Sequence, residues 1–262
     1  MKKISIILAL AALLFADAAL AASAVVTSLT GTVRVQTGAA AQRVLRQGDE
    51  VVQGDTVSTG AASSVVLKFD DGQVAALTAN SRMQVTAYAF NPQAKTGNIL
   101  LSLVVGGMRA ITGLIGHNQP DSVKFRAATA TIGIRGSDGM IITDGTRVSV
   151  TVTDGAFTFS FAGETIVIPA GRGAFGADNK VTQGTAQQVF NQLPPAFQNA
   201  IGGLTGLTTQ INQAAASNNK NGNNNNNNNT PDNNPPPPPP PPPTPGPNNP
   251  GNSTGGGSAS GK

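Results

Sequence analysis

The sequence predicts an all-β domain, a compact sandwich, barrel or short β-roll, followed by two short helices and a low-complexity tail. Three observations predict it. Short runs rich in Val, Ile, Thr and Phe fill residues 25 to 181. Gly and Asp-Gly pairs punctuate those runs. Beyond residue 185 the apolar period changes from two to three or four, and beyond 217 it vanishes.

The chain opens with Lys2 and Lys3, an apolar run from Ile4 to Ala16, and Ala19-Leu20-Ala21. A positive start, a short apolar core and a small-x-small end describe a secretion signal, here expected over residues 1–21. The β domain is expected over 22–181. Its predicted strands are Val25–Val35, Gln53–Ser58, Ser64–Phe69, Gln73–Leu77, Arg82–Ala89, Ile99–Val105, Ser122–Ala127, Ala130–Ile134, Met140–Ile142, Arg147–Val152, Ala156–Phe161 and Thr165–Ile168. Asp71-Gly72, Asp144-Gly145 and Asp154-Gly155 each separate two such runs, so three hairpins with type I′ turns are expected. Val57, Val66, Leu67, Phe69 and Leu77 are expected in the core.

Residues 182–216 read as a helical segment. Phe190, Leu193, Phe197, Ile201, Leu204, Leu207 and Ile211 form one stripe, interrupted by Pro194-Pro195 and again by Gly202-Gly203 and Gly206. The polar side of the stripe is Gln and Asn rather than Lys and Arg, which favours packing on the β domain over a membrane surface. Residues 217–262 contain seven consecutive Asn, Asn223–Asn229, and nine consecutive Pro, Pro235–Pro243. With nothing apolar to bury, this tail is expected to be disordered.

Composition narrows function. Without Lys2, Lys3 and Asp17 the chain keeps 15 Lys/Arg and 12 Asp/Glu. That balance, with no basic cluster, one Tyr and no Trp, argues against a nucleic-acid partner. No cysteine is present, so the fold holds by burial alone and thiolate metal sites are excluded. No further segment is apolar enough to span a membrane. His117 is the single histidine, set in a loop-like Gly116–Pro120 run, and no Gly-x-Ser-x-Gly elbow accompanies it. Most acids sit beside glycines in turns, where Asp serves the local backbone. No calcium loop and no Gly-x-Gly-x-x-Gly unit surrounds Gly106-Gly107. No enzyme, metal or cofactor is therefore expected.

One stretch stands apart. Thr129 to Asp138 alternates Ala130, Ile132 and Ile134, then places Arg135 between Gly133 and Gly136, ahead of Ser137 and Asp138. Arg135 is read either as bonding loop carbonyls or Asp138 to set a turn, or as a partner contact.

Ordered phrases surround it. Gly31-Thr-Val-Arg-Val35 precedes Gly54-Asp-Thr-Val-Ser-Thr-Gly60 and Ser63-Ser-Val-Val-Leu-Lys-Phe-Asp-Asp-Gly72. Leu101-Ser-Leu-Val-Val-Gly-Gly-Met-Arg109, Ala128–Ser137 and Val150–Phe157 follow. In this order the chain resembles the FecR-type domain family over about residues 25 to 178. Family members usually carry Thr and an aromatic where this chain has Ser137 and Asp138. Its best-known members relay an iron-uptake signal through a cytoplasmic anti-sigma segment and a membrane helix. Here a signal peptide is read in that place, so that role is not carried over. The resemblance implies an exported, non-catalytic binding or scaffold module, periplasmic or else at the surface or secreted. Its expected partner is an envelope protein or polysaccharide. A sensor that signals to a membrane protein and an adhesion component are the alternatives.

Overall fold

A computed structural model describes residues 23–217. The expected signal peptide of residues 1–21, and the tail from 218 on, lie outside the described residues. In chain order the elements begin with β1 (Ala24–Thr30), β2 (Val33–Thr37), β3 (Arg43–Val44), β4 (Glu50–Val51) and β5 (Asp55–Thr59). Next come β6 (Ser64–Phe69), β7 (Val74–Leu77), β8 (Arg82–Asn91) and β9 (Thr96–Ile111). Helix α1 (Leu114–Asn118) and a 3-10 turn (Pro120–Ser122) lead into β10 (Val123–Ala127), β11 (Ala130–Thr143) and β12 (Val148–Phe161). The strands close with β13 (Glu164–Pro169), β14 (Arg172–Ala177) and β15 (Lys180–Thr185). Three helices follow: α2 (Ala186–Gln192), α3 (Pro195–Gly206) and α4 (Thr208–Ala216).

Pairing runs β1-β6-β7-β9-β8-β5-β2. The segment from Arg43 to Val51 returns from β2 to β1 through β3 and β4. This path curls into a small barrel. The remaining strands extend it. They do so because β9, β11 and β12 are each long enough to serve two neighbours on one edge. The first half of β9 pairs β8 and β10, and its second half pairs β7 and β11. The first half of β11 pairs β10 and its second half β9. The first half of β12 pairs β14 and its second half β13. Each long strand therefore passes from one layer to the other. A single core, including Phe69, Leu77, Leu101, Phe125, Phe157 and Phe159, fills the space between the layers.

Asp154-Gly155 was expected to turn a hairpin. Instead it lies within β12, opposite the irregular stretch of β11, where the strand changes partners. Likewise Ala130–Ile134 and Met140–Ile142 are one strand, bulged between Arg135 and Gly139. Pattern alone cannot separate a bulged strand from a hairpin, since both place Asp-Gly between alternating runs. The other two Asp-Gly pairs do turn hairpins, β6–β7 and β11–β12. They are not type I′, because only the glycine takes a positive φ, +85° at Gly72 and +95° at Gly145. Strands β14 and β15 extend the β domain to Thr185, past the expected limit at 181, and Gly116–Asn118 belongs to α1 rather than to a loop. The five expected core residues are all buried.

The helical segment contains three helices, not two. Thr185 starts α2 with a capping box: its hydroxyl accepts from Gln188 N–H at 3.2 Å, and Gln188 Oε1 accepts from Thr185 N–H at 2.9 Å. Helix α3 runs through Gly202-Gly203, and the break comes at Leu207. Gly203 faces the sheet so closely that a Cβ would lie 2.3 Å from Thr78 Oγ1. It is there for close approach, not for ending the helix. The helices cover the outer face of one layer. Ile211 and Ala214 pack on Val66, Val74 and Ala76. Phe197 and Leu204 pack with Val189, Leu193 and Ile142. Burying each large side chain contributes roughly 1.5–3 kcal/mol. No helix among the described residues is long and apolar enough to cross a membrane.

Two glycine substitutions separate backbone need from mere tolerance. Gly106 has φ +98° where β9 bends, and a Cβ would meet Ser81 at 2.2–2.6 Å. Gly202 has open space around it. Gly106→Ala is expected to lose more than about 3 kcal/mol. Gly202→Ala is expected to gain about 0.5–1 kcal/mol. Chemical denaturation of both variants measures the difference.

Candidate functional site

The stretch singled out in the sequence lies where β11 crosses between layers. Gly133 pairs with Lys124 on β10 and Thr158 on β12, and a Cβ there would lie 2.5 Å from Thr158 Oγ1. The backbone of Arg135 pairs with Ala156, while its side chain lies outside the described residues. Gly136 follows with φ +57°, and the register to β12 shifts here. The bulge removes a ladder position, and Ser137 fills the gap. Its hydroxyl donates to Ala156 O at 2.6 Å and accepts from Ala156 N–H at 3.1 Å. Its own N–H donates to Thr112 Oγ1 at 2.8 Å, and that hydroxyl donates back to Ser137 O. A buried serine thus does the work of a backbone amide and carbonyl.

Asp138 ends the bulge. Arg109 grips it bidentately, Nε to Oδ1 at 2.8 Å and Nη2 to Oδ2 at 2.6 Å. The two side chains are 9% and 17% exposed, so the pair is shielded from solvent. Hydrogen bonds to Asp138 hold the Arg109 guanidinium above its usual range, against the opposing effect of burial. Arg109 Nη1 also donates to Thr208 Oγ1 at 3.2 Å. The start of α4 is thereby tied to the strand crossing. The sequence offered one signal for this: Arg109 is the only charge in the sixteen residues of β9, and a charge in an apolar strand calls for a counter-charge.

A second polar group lies at the β6–β7 turn. Asp71 is buried and pairs with no cation among the described residues. Its Oδ1 accepts from Gln73 N–H at 3.1 Å and its Oδ2 from Ile115 N–H at 3.3 Å. Tyr88 O–H accepts from Asp71 N–H at 3.0 Å. Burial raises the Asp71 carboxyl above its ordinary 3.8, against those hydrogen bonds. Burial, then the nearby Asp71, pushes the Tyr88 phenol up. Gln73 is fully buried beside them, its amide oxygen and nitrogen unpartnered among the described residues.

A cleft of about 360 Å³ opens beneath α3, lined by Thr78, Asn80, Val105, Ile142, Asp144 and Phe197 among others. Asp144 at its rim accepts from the N–H groups of Thr146 and Arg147 and pairs with the Arg147 guanidinium at 2.6 Å. Burial opposes ionisation there, but these hydrogen bonds outweigh it and hold the carboxyl well below the usual range. Arg147 in turn stacks 5.7 Å over Phe197. His117 is exposed on α1. Among the described residues no three His, Asp or Glu side chains converge as metal ligands would.

Residues 55–157 match the model of the FecR protein family. This stretch is a FecR domain. It begins at β5, ends at Phe157 in β12, and contains all three strand crossings. It is narrower than the 25–178 suggested by the sequence phrases, and β1–β4 and β13–β15 lie outside it. Two crystal structures of a candidate anti-sigma factor from Parabacteroides distasonis ATCC 8503, at 1.65 and 2.50 Å, are similar at low identity. They share 14% and 13% identity with this chain, at TM-scores of 0.42 and 0.43. Each match covers 51% of this chain and 62% of the other, so the chain spans less than two thirds of those relatives. No curated protein matches the chain.

The FecR domain's buried ion pair sets one expectation. Asp138→Ala leaves a buried guanidinium unpaired and is expected to cost about 3–5 kcal/mol, lowering the melting temperature by roughly 10 °C. Asp49→Ala breaks the exposed pair with Arg43 and an exposed turn hydrogen bond from Arg46 N–H and is expected to cost only about 1 kcal/mol. Thermal melts of the two variants decide it.

Asp71 sets a second expectation. Its folded-state value is raised, so its contribution to stability is complete below 3.8 and is lost as pH rises through the raised value. Asp71→Asn removes that titration. The stability of the variant relative to the parent should therefore increase between about pH 4 and pH 7. A difference that stays flat across denaturation curves at several pH values refutes it.

Proposed function

We propose that this protein is an exported, non-catalytic binding or scaffold module of the cell envelope, built around its FecR domain. The observation that carries the reading is how its carboxylates are used. Asp138 is held by Arg109, Asp144 caps its own turn and pairs with Arg147, Asp55 accepts from Thr37 and Val52, and Asp71 accepts backbone N–H groups. Asp55, Asp71 and Asp144 accept backbone N–H groups and Asp138 is occupied by Arg109, while, among the described residues, the cleft that Asp144 edges is lined by no second titratable side chain of the kind acid–base chemistry would require. The signal-like start of the chain supports export. The periplasm is the proposed compartment, with the cell surface or medium as the alternative.

A second reading is a sensor that passes a signal to a membrane protein. The FecR match favours it, and so does the Arg109–Thr208 bond, through which a change at the crossing would reach α4.

Fractionation of cells producing the protein tests the main reading. The chain is expected in the periplasmic, surface or secreted fraction, shortened near residue 22. Full-length protein confined to the cytoplasm refutes export.

A further inference from the structure

The two layers treat their outer faces differently. One is apolar and lies under α2–α4. The other, across β8 to β13, is mostly polar; among the described residues none of α2–α4 packs on it, and the Pro120–Ser122 turn edges it. Cross-strand register places Gln84, Ser102, Arg126, Thr131, Ser160 and Thr165 in one row, each directly opposite the next. At about 4.8 Å per strand the row runs roughly 24 Å. Beside it runs a second row, Leu100, Lys124, Gly133, Thr158 and Val167. Direct partners share a face, so these side chains project together.

Lys124 and Arg126 are exposed at alternate positions of β10, and neither makes an ion pair among the described residues. No carboxylate stands in either row. A cleft of about 190 Å³ is cut between them, lined by Asp121, Lys124, Thr131, Gly133, Thr158 and Ser160 among others. Gly133 keeps it open, since a Cβ would lie 2.5 Å from Thr158 Oγ1.

We infer that this face binds an acidic polysaccharide. The inference rests on the proposed envelope-binding role and names the ligand class for it. The cations meet carboxylate or sulfate groups along the polymer. The rows of hydroxyls exchange hydrogen bonds with sugar hydroxyls at the spacing of the strands. The extended row suits a linear chain rather than a compact solute. No aromatic ring stands in either row to stack on bases, which disfavours nucleic acid. Leu100 and Val167 are too few to insert into a lipid surface.

The test is binding of the purified protein to polygalacturonate, with neutral dextran, single-stranded DNA and anionic phosphatidylglycerol vesicles in parallel. Binding to polygalacturonate that weakens with salt, and none to dextran, is expected. The double variant Lys124→Gln/Arg126→Gln should bind about tenfold more weakly. A variant matched in charge on another face, Arg172→Gln/Lys180→Gln, should bind within about twofold of the parent. Lys124→Arg should retain binding, and circular dichroism should show all variants folded. Equal losses in both double variants mean net charge alone and overturn the inference. So does binding only to DNA or only to vesicles, and so does no binding. An exported protein that fails this assay loses the ligand but keeps the envelope role. A cytoplasmic protein that passes it loses the role but keeps the face.

Discussion

The bulge of β11 between Arg135 and Gly139 is the constraint on which the rest of the structure depends. A strand that passes from one layer to the other must bend, and bending leaves ladder groups without partners. Unpaired buried amides and carbonyls cost about 1–3 kcal/mol each, so the crossing forms only if something replaces the missing bonds. The Ser137 hydroxyl supplies both a donor and an acceptor to Ala156, and the Thr112 hydroxyl, just past β9, does the same for the N–H and carbonyl of Ser137. Asp138 and Arg109 then hold β9 and β11 in register from the side. With the crossing made, β9, β11 and β12 each belong to two layers, and one core serves both.

The same crossing decides what the outer faces become. Where the long strands lie in the layer with β6, β7 and β14, their outward positions are apolar and need a cover. Helices α2–α4 provide it, and Arg109 reaches through to fix the first residue of α4. Where the strands lie with β8, β10 and β13, outward positions are mostly hydroxyl-bearing or basic, with Leu100 and Val167 among them, and no helix of α2–α4 covers them. One molecule thus presents a sealed face and an open face. Only the open one offers polar groups at regular spacing to something outside the chain.

Much of this was legible in the sequence. Alternation located most strands, and the three-to-four period located the helices, because both patterns report burial residue by residue. The resemblance to FecR-type domains was readable from ordered glycine phrases. The partner of Asp138 was not, since Arg109 lies 29 positions away. Asp154-Gly155 misled because a bulge and a hairpin share a local pattern, and only the partner strand tells them apart. Gly202-Gly203 misled in the same way: a glycine that permits close packing looks, in one dimension, like one that ends a helix.

By itself, then, the sequence determined the fold class, the family phrases, most strand positions and five residues of the core. These follow from local chemistry: period, turn residues and polarity. The tertiary structure alone decided that three strands are shared between layers. It also decided which acid meets which base, and that the polar rows of six strands fall into line on one uncovered face. Those depend on register between segments far apart in the chain, which is set by packing the whole core at once and is written in no single stretch of it.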